Sequence, residues 1–497
     1  MNALLIYPEC PPTFWSFRQA LRFVLKKTTQ PPLGLLTVAA MLPTDWSKRL
    51  VDMNVHPLRD DDLAWADVVF LSAMSVQRAS AEQVISRTRT AGVPIVAGGP
   101  LFTSEPERFS GVDHLVLNEA EATLPEFLAD FERGTARHMY TREEYLPLDR
   151  TPIPLWSLVN TRHYSAMNLQ YSRGCPYDCE FCDIGSLFGR QVRTKSKDQL
   201  LAELEAIFRL GWCGSLFFVD DNFIGNRRKL KAEVLPAMIE WSRRHRYPFD
   251  FETEVSIELA DDAELMAMMT RAGFNSVFVG IETPNEKSLS ECGKIQNLNR
   301  DLQAAVRRLH RAGFIVKAGF ILGFDSDTTS VFEQMSRFIQ ASGIVTAMVG
   351  LLNVPRNTRL HRRLEKEGRL LGDISGDNTT FRTNFLPRIG HERLAEGYRS
   401  VIRRIFSSRP YYERVRLFLK EYRMPRRKIS LARFSFVYLY AFGRTVLRLG
   451  ILGRERWRFW QLFWWTLFRK PLLMPTAMRL AVYGFHFRKH YADCLSE

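Results

Sequence analysis

Short apolar runs alternate with amphipathic stretches along the first 140 residues. ALLIYPE, RLVDMN, DVVFLSAM, VPIVAGGP and DHLVLNEAE read as strands bounded by turn residues, with helical patterns such as ASAEQVISRTRTAG between several of them. Strands this continuously apolar have both faces covered, so the alternation predicts a doubly wound, Rossmann-like parallel sheet. Such sheets bind ligands at the carboxyl ends of their strands. Those ends are Ser72 to Ser75, Gly98-Gly99-Pro100 and Asn118-Glu119-Ala120-Glu121. Glycine there lets a backbone come close to a ligand, although ordinary tight turns share the pattern.

Residues 141–165 hold three prolines and no clear period, and read as a linker. A second series starts near 166: MNLQYSRG, GSLFFVDDNF, DFETEVSI, SVFVGIET, IVKAGFILGF and TAMVGLLNVP, separated by helical stretches such as KDQLLAELEAIFRLG. Six βα units predict a partial (β/α)6 barrel of the TIM type over 166–365, with chemistry at the strand ends. Residues 366–425 read as a helical extension, and 426–497 as a tail that interleaves arginine with aromatics.

Composition adds two facts. Of a net charge of +15, +11 lies between Glu421 and Glu497. Of seven cysteines, three fall within eight residues, which argues for a reducing compartment and a local metal site rather than a disulfide scaffold. The N-terminus MNALLIYPECPP lacks the basic and long apolar regions of a secretory signal, so a cytoplasmic location is expected.

The cysteines stand in Tyr171-Ser-Arg-Gly-Cys175-Pro-Tyr-Asp-Cys179-Glu-Phe-Cys182. Thiolates are the usual ligands of iron–sulfur clusters, and three on one loop leave the fourth iron of a cubane open to a small molecule. Structural zinc wants a fourth ligand, and no further Cys or His lies close by in sequence. A ligand distant in sequence keeps that alternative open.

C-x3-C-x2-C after a strand, with an aromatic before the last cysteine, resembles the signature of radical S-adenosylmethionine (SAM) enzymes. The resemblance implies that Cys175, Cys179 and Cys182 hold a [4Fe-4S] cluster that cleaves SAM reductively, with Phe181 near the adenine. It also implies an electron donor such as flavodoxin or ferredoxin. By position on the strand ends, Asp220 and Asp221 are expected at the methionine amino group and Glu254 and Ser256 at the ribose. Gly280 and Glu282 are expected at the fourth strand, and Asn353 and Val354 beside the adenine. For each, a surface or capping role is the alternative.

A doubly wound domain directly before such a barrel resembles the cobalamin-binding class of that superfamily, through QPPLGLLTVAAML, VDMN, LSAM, AGGP and NEAEATLPEFL. The resemblance implies cobalamin against Ser72, Ser75, Gly98, Gly99, Pro100, Glu119 and Glu121. Two departures stand out. No D-x-H-x-x-G motif supplies an axial histidine (His56 sits in DMNVHPL), so the lower face of the corrin is expected to lack one. Asn118 replaces the usual glycine of the fifth-strand motif. Over residues 1–420 the chain looks most like cobalamin-dependent radical SAM proteins with a DUF4070-type extension, the group that includes hopanoid C-2 methylases.

The longest uncharged runs of the tail are ten residues each, half a membrane span. Arg, Trp and Phe together suit a membrane interface. Ordinary packing on the barrel and nucleic-acid binding are the rivals, and the dense apolar content disfavours nucleic acid. The expected activity is methylation of an unactivated carbon on a hydrophobic or lipid substrate. Radical cyclisation, rearrangement or C–C coupling without methyl transfer is the alternative. A tRNA methylthiotransferase would need a second cluster, and Cys10 is the only cysteine of the N-terminal domain. A non-catalytic regulator sits poorly with an intact three-cysteine motif.

Overall fold

Apolar runs without polar alternation must be covered on both sides, and the chain does this twice. The computed structural model, which describes residues 1–425 and 436–495, contains two six-stranded sheets in which every strand pairing is parallel. The first sheet comprises β1 (Asn2–Tyr7), β2 (Ser47–Asp52), β3 (Val68–Ser72), β4 (Ile95–Gly98), β5 (His114–Val116) and β6 (Met139–Tyr140), in the order 2-1-3-4-5-6. Within β1, Leu4 and Ile6 join one apolar layer with Val69 and Leu71, while Ala3 and Leu5 join the other with Val68 and Phe70. The order reverses between β1 and β3, so the ligand crevice of this doubly wound sheet opens at their carboxyl ends.

The second sheet is an open half-barrel. After β7 (Ala166–Leu169) the chain forms a two-stranded hairpin, β8 (Ser172–Arg173) with β9 (Arg193–Thr194). It then lays down β10 (Gly214–Phe218), β11 (Phe249–Val255), β12 (Phe274–Glu282), β13 (Ile315–Leu322) and β14 (Thr346–Leu351), ordered 14-13-12-11-10-7. Alternation along β11 divides its side chains: Phe249, Phe251 and Val255 enter the core under the helices, while Asp250, Glu252 and Glu254 are half-buried on the other face. The sheet is thus the expected six-stranded partial barrel. The β8–β9 hairpin and β6, each strand two residues long, are too short to leave a periodic signal.

Within the stretch 141–165 the first seven residues are largely exposed, and the part from Leu148 onward packs on both sheets' cores. Trp156 and Tyr164 are buried, Leu155 N donates to Leu36 O (2.9 Å), and Tyr164 Oη donates to Asp52 Oδ2 (2.9 Å).

Two helices, His391–Phe406 and Ser408–Glu421, pack on the barrel, and three more follow: Phe436–Thr445, Arg456–Arg469 and Met474–Leu495. The last third of the tail follows the packing alternative. Ala477, Leu480, Ala481, Phe487 and Tyr491 are buried in the main core, and the Phe487 ring stacks on Phe14 at 4.4 Å and 2°. Packing wins there because this helix turns an apolar stripe to the barrel. The start of the tail, 426–435, lies outside the described residues. Among the described residues no helix is long and apolar enough to cross a membrane.

Candidate functional site

The cysteine loop leaves the half-barrel after β7 and is shaped by backbone chemistry before any cofactor is considered. Gly174 has φ +89°, and a Cβ there would sit 2.7 Å from Gln191 O, so only glycine fits the turn into Cys175. Asp220, at the end of β10, accepts hydrogen bonds from Tyr171 N (3.1 Å), Ser172 N and Ser172 Oγ (2.5 Å). Asp221 accepts from Gly174 N (2.9 Å). The far side of the loop is clamped twice: Glu180 N donates to Cys292 O (2.8 Å), and Leu360 N donates to Glu180 O (3.0 Å).

Cys175, Cys179 and Cys182 are all half-buried on this loop. Burial above all pushes each thiol up, and neighbouring Cys179 adds to the shift at Cys175 and Cys182. Thiols that resist ionisation become good ligands only beside strong positive charge, which iron supplies. Among the described residues no three His, Cys, Asp or Glu side chains close around a point that would hold a single ion.

Carboxylates converge beside the loop. Burial, then the charges of Asp221 and Glu252, push Glu254 up to about 8, and burial pushes Asp221 up to about 6. Lys294 is the one cation that counteracts the shift at Glu254. Burial opposes its charge, yet Glu282 (Lys294 Nζ to Oε1, 2.7 Å) and Cys179 hold Lys294 above the usual lysine range. An acid-rich pocket with too few cations suits an ammonium group and hydroxyl donors, which is what the methionine end and ribose of SAM present.

The expected SAM residues do not all share this pocket. Asp220 is withdrawn from it: the side chain is buried and both oxygens accept from the segment before the cysteines, so it positions the loop instead of meeting an amino group. Ser256 N donates to Asn222 Oδ1 (3.2 Å) and Ser256 Oγ to Glu258 Oε2 (3.3 Å). Glu282 holds φ +62°, and Gly280 leaves the space in which the Glu282–Lys294 pair lies. Phe181 packs against an apolar cluster that contains Val354 and Phe324, and Val354 is pinned through both its N and O by Asn384. Asn353 Nδ2 donates to Leu351 O at the end of β14 (3.0 Å).

At the first sheet, Ser72 ends β3, Ser75 opens a 3-10 turn, and Gly98 ends β4. Gly99 has φ +91°, and a Cβ there would lie 2.5 Å from Ser72 Oγ; Pro100 then starts a short helix. These residues rim the crevice beside the switch point. Glu119 and Glu121 instead face the barrel. Glu121 Oε1 accepts from Arg173 Nη2 (2.7 Å) and Thr151 Oγ1 (2.8 Å), and Glu119 Oε1 from Arg193 Nη2 (2.6 Å). Both carboxylates are therefore committed to arginines of the β8–β9 hairpin, whose connecting loop carries the three cysteines. His56 lies against the His163 ring (5.2 Å), just beyond β2, where its N donates to Asp52 O (2.9 Å).

Two segments escape a sequence reading. Cys292 to Asn297 forms the wall opposite the cysteine loop: Gln296 Nε2 reaches Cys179 Sγ (3.9 Å), and Asn297 Nδ2 donates to Gly280 O and Ile281 O. Its only sequence signal is a cysteine after the fourth barrel strand. Gln77, buried, donates to Pro8 O (2.6 Å) across the switch point and accepts from Met74 N (2.9 Å). A glutamine in a polar stretch gave no hint of this.

Comparison with known proteins finds three family models along the chain. Models of the B12 binding domain, the Radical SAM superfamily and a domain of unknown function (DUF4070) match residues 26–128, 169–339 and 358–497. An uncharacterized methyltransferase of Synechocystis sp. is 40% identical over 99% of this chain and 92% of its own. The hopanoid C-2 methylase of Rhodopseudomonas palustris is 32% identical over 99% of this chain and 95% of its own. Among solved structures, the cobalamin-dependent SAM radical enzyme OxsB, with aqua-cobalamin and SAM bound, shares the fold. Its TM-score is 0.63 at 15% identity, over 100% of this chain and 80% of its own.

Proposed function

The chain belongs to the cobalamin-dependent radical SAM methyltransferases that include hopanoid C-2 methylase, and from that premise we propose that it methylates an unactivated carbon of a hydrophobic, lipid-like polycyclic substrate. The observation that carries this reading is the apposition of the two sheets. Glu119 and Glu121, just past the end of β5, grip Arg193 and Arg173 of the hairpin whose loop carries the cysteines, which supports a reading in which a corrin on the first sheet lies near the cluster loop. The cofactors supply one-electron cleavage of SAM and carriage of the methyl group.

The chain's own residues do the positioning. Cys175, Cys179 and Cys182 hold the cluster. Asp221 and Glu254 accept from the ammonium and ribose of SAM, Phe181 and Val354 border the adenine, and Glu282 and Lys294 fix the wall behind. Ser72, Ser75, Gly98, Gly99 and Pro100 admit the corrin, within a cobalamin domain spanning 1–140. Glu119 and Glu121 hold that domain to the barrel at 166–365. In the net reaction a substrate C–H becomes C–CH3. One SAM gives up its methyl and leaves as S-adenosylhomocysteine. A second is cleaved to methionine and 5′-deoxyadenosine, which carries off the hydrogen. Two electrons come from a flavodoxin or ferredoxin. The enzyme works in the cytoplasm, on the inner face of the membrane where such a substrate resides.

The test is anaerobic turnover of the reconstituted protein with SAM, cobalamin, reductant and a bacterial lipid extract. Equal amounts of S-adenosylhomocysteine and 5′-deoxyadenosine, with a lipid heavier by one CH2, are expected. Formation of 5′-deoxyadenosine without S-adenosylhomocysteine overturns methyl transfer in favour of rearrangement or coupling.

A further inference from the structure

A surface helix normally buries one apolar stripe and shows a polar one to water. The helix Arg456–Arg469 does not. Phe459, Leu462 and Thr466 are buried against the molecule. On the opposite face, at spacings of seven and four residues, Trp457, Trp464 and Phe468 are 73%, 49% and 78% exposed. The rings are ordered against each other: Trp460, Trp464 and Phe468 form a stacked ladder with centroids 6.2 and 5.9 Å apart. Elements adjacent in the chain add further exposed apolar side chains, with Leu439, Leu452 and Leu472 each about two-thirds exposed or more. No other part of the described chain gathers so many large exposed apolar side chains. Scattered exposed apolar residues are ordinary, but a contiguous field of them marks a contact.

Charge selects the partner. Arg448, Arg454, Arg456 and Arg469 are exposed along this surface. The one acidic residue of the segment, Glu455, is ion-paired inward with Arg488 (2.5 Å). Aromatics and leucines flanked by guanidinium groups, with no free acid, match the boundary between acyl chains and anionic headgroups. A soluble protein partner would favour a mixed polar rim, and a nucleic acid would not need the leucines.

We infer that the outward face of residues 439–472 docks the enzyme on an anionic lipid bilayer, with Trp457, Trp464 and Phe468 entering the headgroup layer. This deepens the reading above by naming the surface through which a membrane-resident substrate is reached. The test does not depend on that reading, because docking is measured without SAM or substrate. Full-length holoenzyme is sedimented with phosphatidylglycerol-containing vesicles and with neutral phosphatidylcholine vesicles. Its tryptophan emission is recorded in parallel.

Binding to the anionic vesicles with a blue shift, and much weaker binding to the neutral ones, is expected. Trp457→Ser, Trp464→Ser and Phe468→Ser together abolish it while cluster absorbance and thermal unfolding stay as in the parent. Arg454→Gln with Arg456→Gln weakens it about thirtyfold. The inference is overturned if the parent stays in the supernatant, or if the triple variant still sediments with vesicles. It is equally overturned if the parent is a dimer that the triple variant dissolves, since the face then belongs to a second copy. Docking without methyl transfer leaves this inference standing and sinks the proposed function.

Discussion

Arg173 meets Glu121 through two parallel hydrogen bonds, Nη2 to Oε1 at 2.7 Å and Nη1 to Oε2 at 3.1 Å, across the boundary between the two sheets. Bidentate geometry of this kind fixes orientation as well as distance. Burial raises the carboxyl, but Arg173 and Thr151 win and hold it at about 2, below the ordinary 4.5. A carboxyl depressed in the folded state stabilises at pH above its unfolded value and loses that contribution as pH falls from about 4.5 to about 2. Glu121→Gln is expected to lower stability by about 3–5 kcal/mol at neutral pH, because Arg173 stays buried and uncompensated. Its unfolding midpoint should vary less with pH over that acid window than the parent's. A parallel pH profile for both proteins would contradict the assignment.

Asp220 organises the cysteine loop through three donors of Tyr171 and Ser172. Asp220→Ala leaves buried N–H groups unpaired, each worth about 1–3 kcal/mol. Reconstituted Asp220→Ala is expected to hold well under half the parent's iron and sulfide while the first domain still binds cobalamin. Iron and corrinoid analysis of the same sample separates the two effects.

Replacing any one of Cys175, Cys179 or Cys182 by alanine is expected to abolish 5′-deoxyadenosine formation and the cluster absorbance. Cys292 is buried in the wall behind them, its Sγ turned to Leu289 O (3.6 Å). Cys292→Ala should keep full iron content; loss of iron there would mean that the ligand set is wrongly drawn.

Gly174→Ala places a Cβ 2.7 Å from Gln191 O in a backbone conformation that L residues avoid. A strain of about 1–3 kcal/mol at that turn is expected to displace Cys175. The readout is a changed electron paramagnetic resonance signal of the reduced cluster with little change in global unfolding temperature.

Both sheets were legible because parallel strands covered on two faces are written as unbroken apolar runs. Leu4 and Val69 need no partner information to be recognised as core. The cysteine motif was legible because three soft ligands in eight residues have few other uses. The partners of Asp220 on Tyr171 and Ser172 lie 49 and 48 residues away and left no local pattern. Glu119 and Glu121 were recognisable as a motif, but their partners, Arg193 and Arg173, lie 74 and 52 residues away. Lys294 and Gln296 left no local pattern, since their role exists only once β12 brings their loop against Cys179. The tail divided because amphipathicity marks which stripe of a helix is apolar but not what covers it.

The stacking of Phe14 on Phe487 sets a condition on biosynthesis. Trp15, whose indole N–H donates to Met348 Sδ of β14 (2.9 Å), and its neighbour Phe14 leave the ribosome early, while the helix that covers them, Met474–Leu495, emerges long afterwards. Until then a nearly complete chain carries an aromatic wound at the floor of its half-barrel. Chains cut short before Met474 are expected to be held by chaperones or degraded rather than to accumulate as idle radical enzymes. Phe14 and Phe487 thus make the packing of a segment synthesised early wait on one synthesised late.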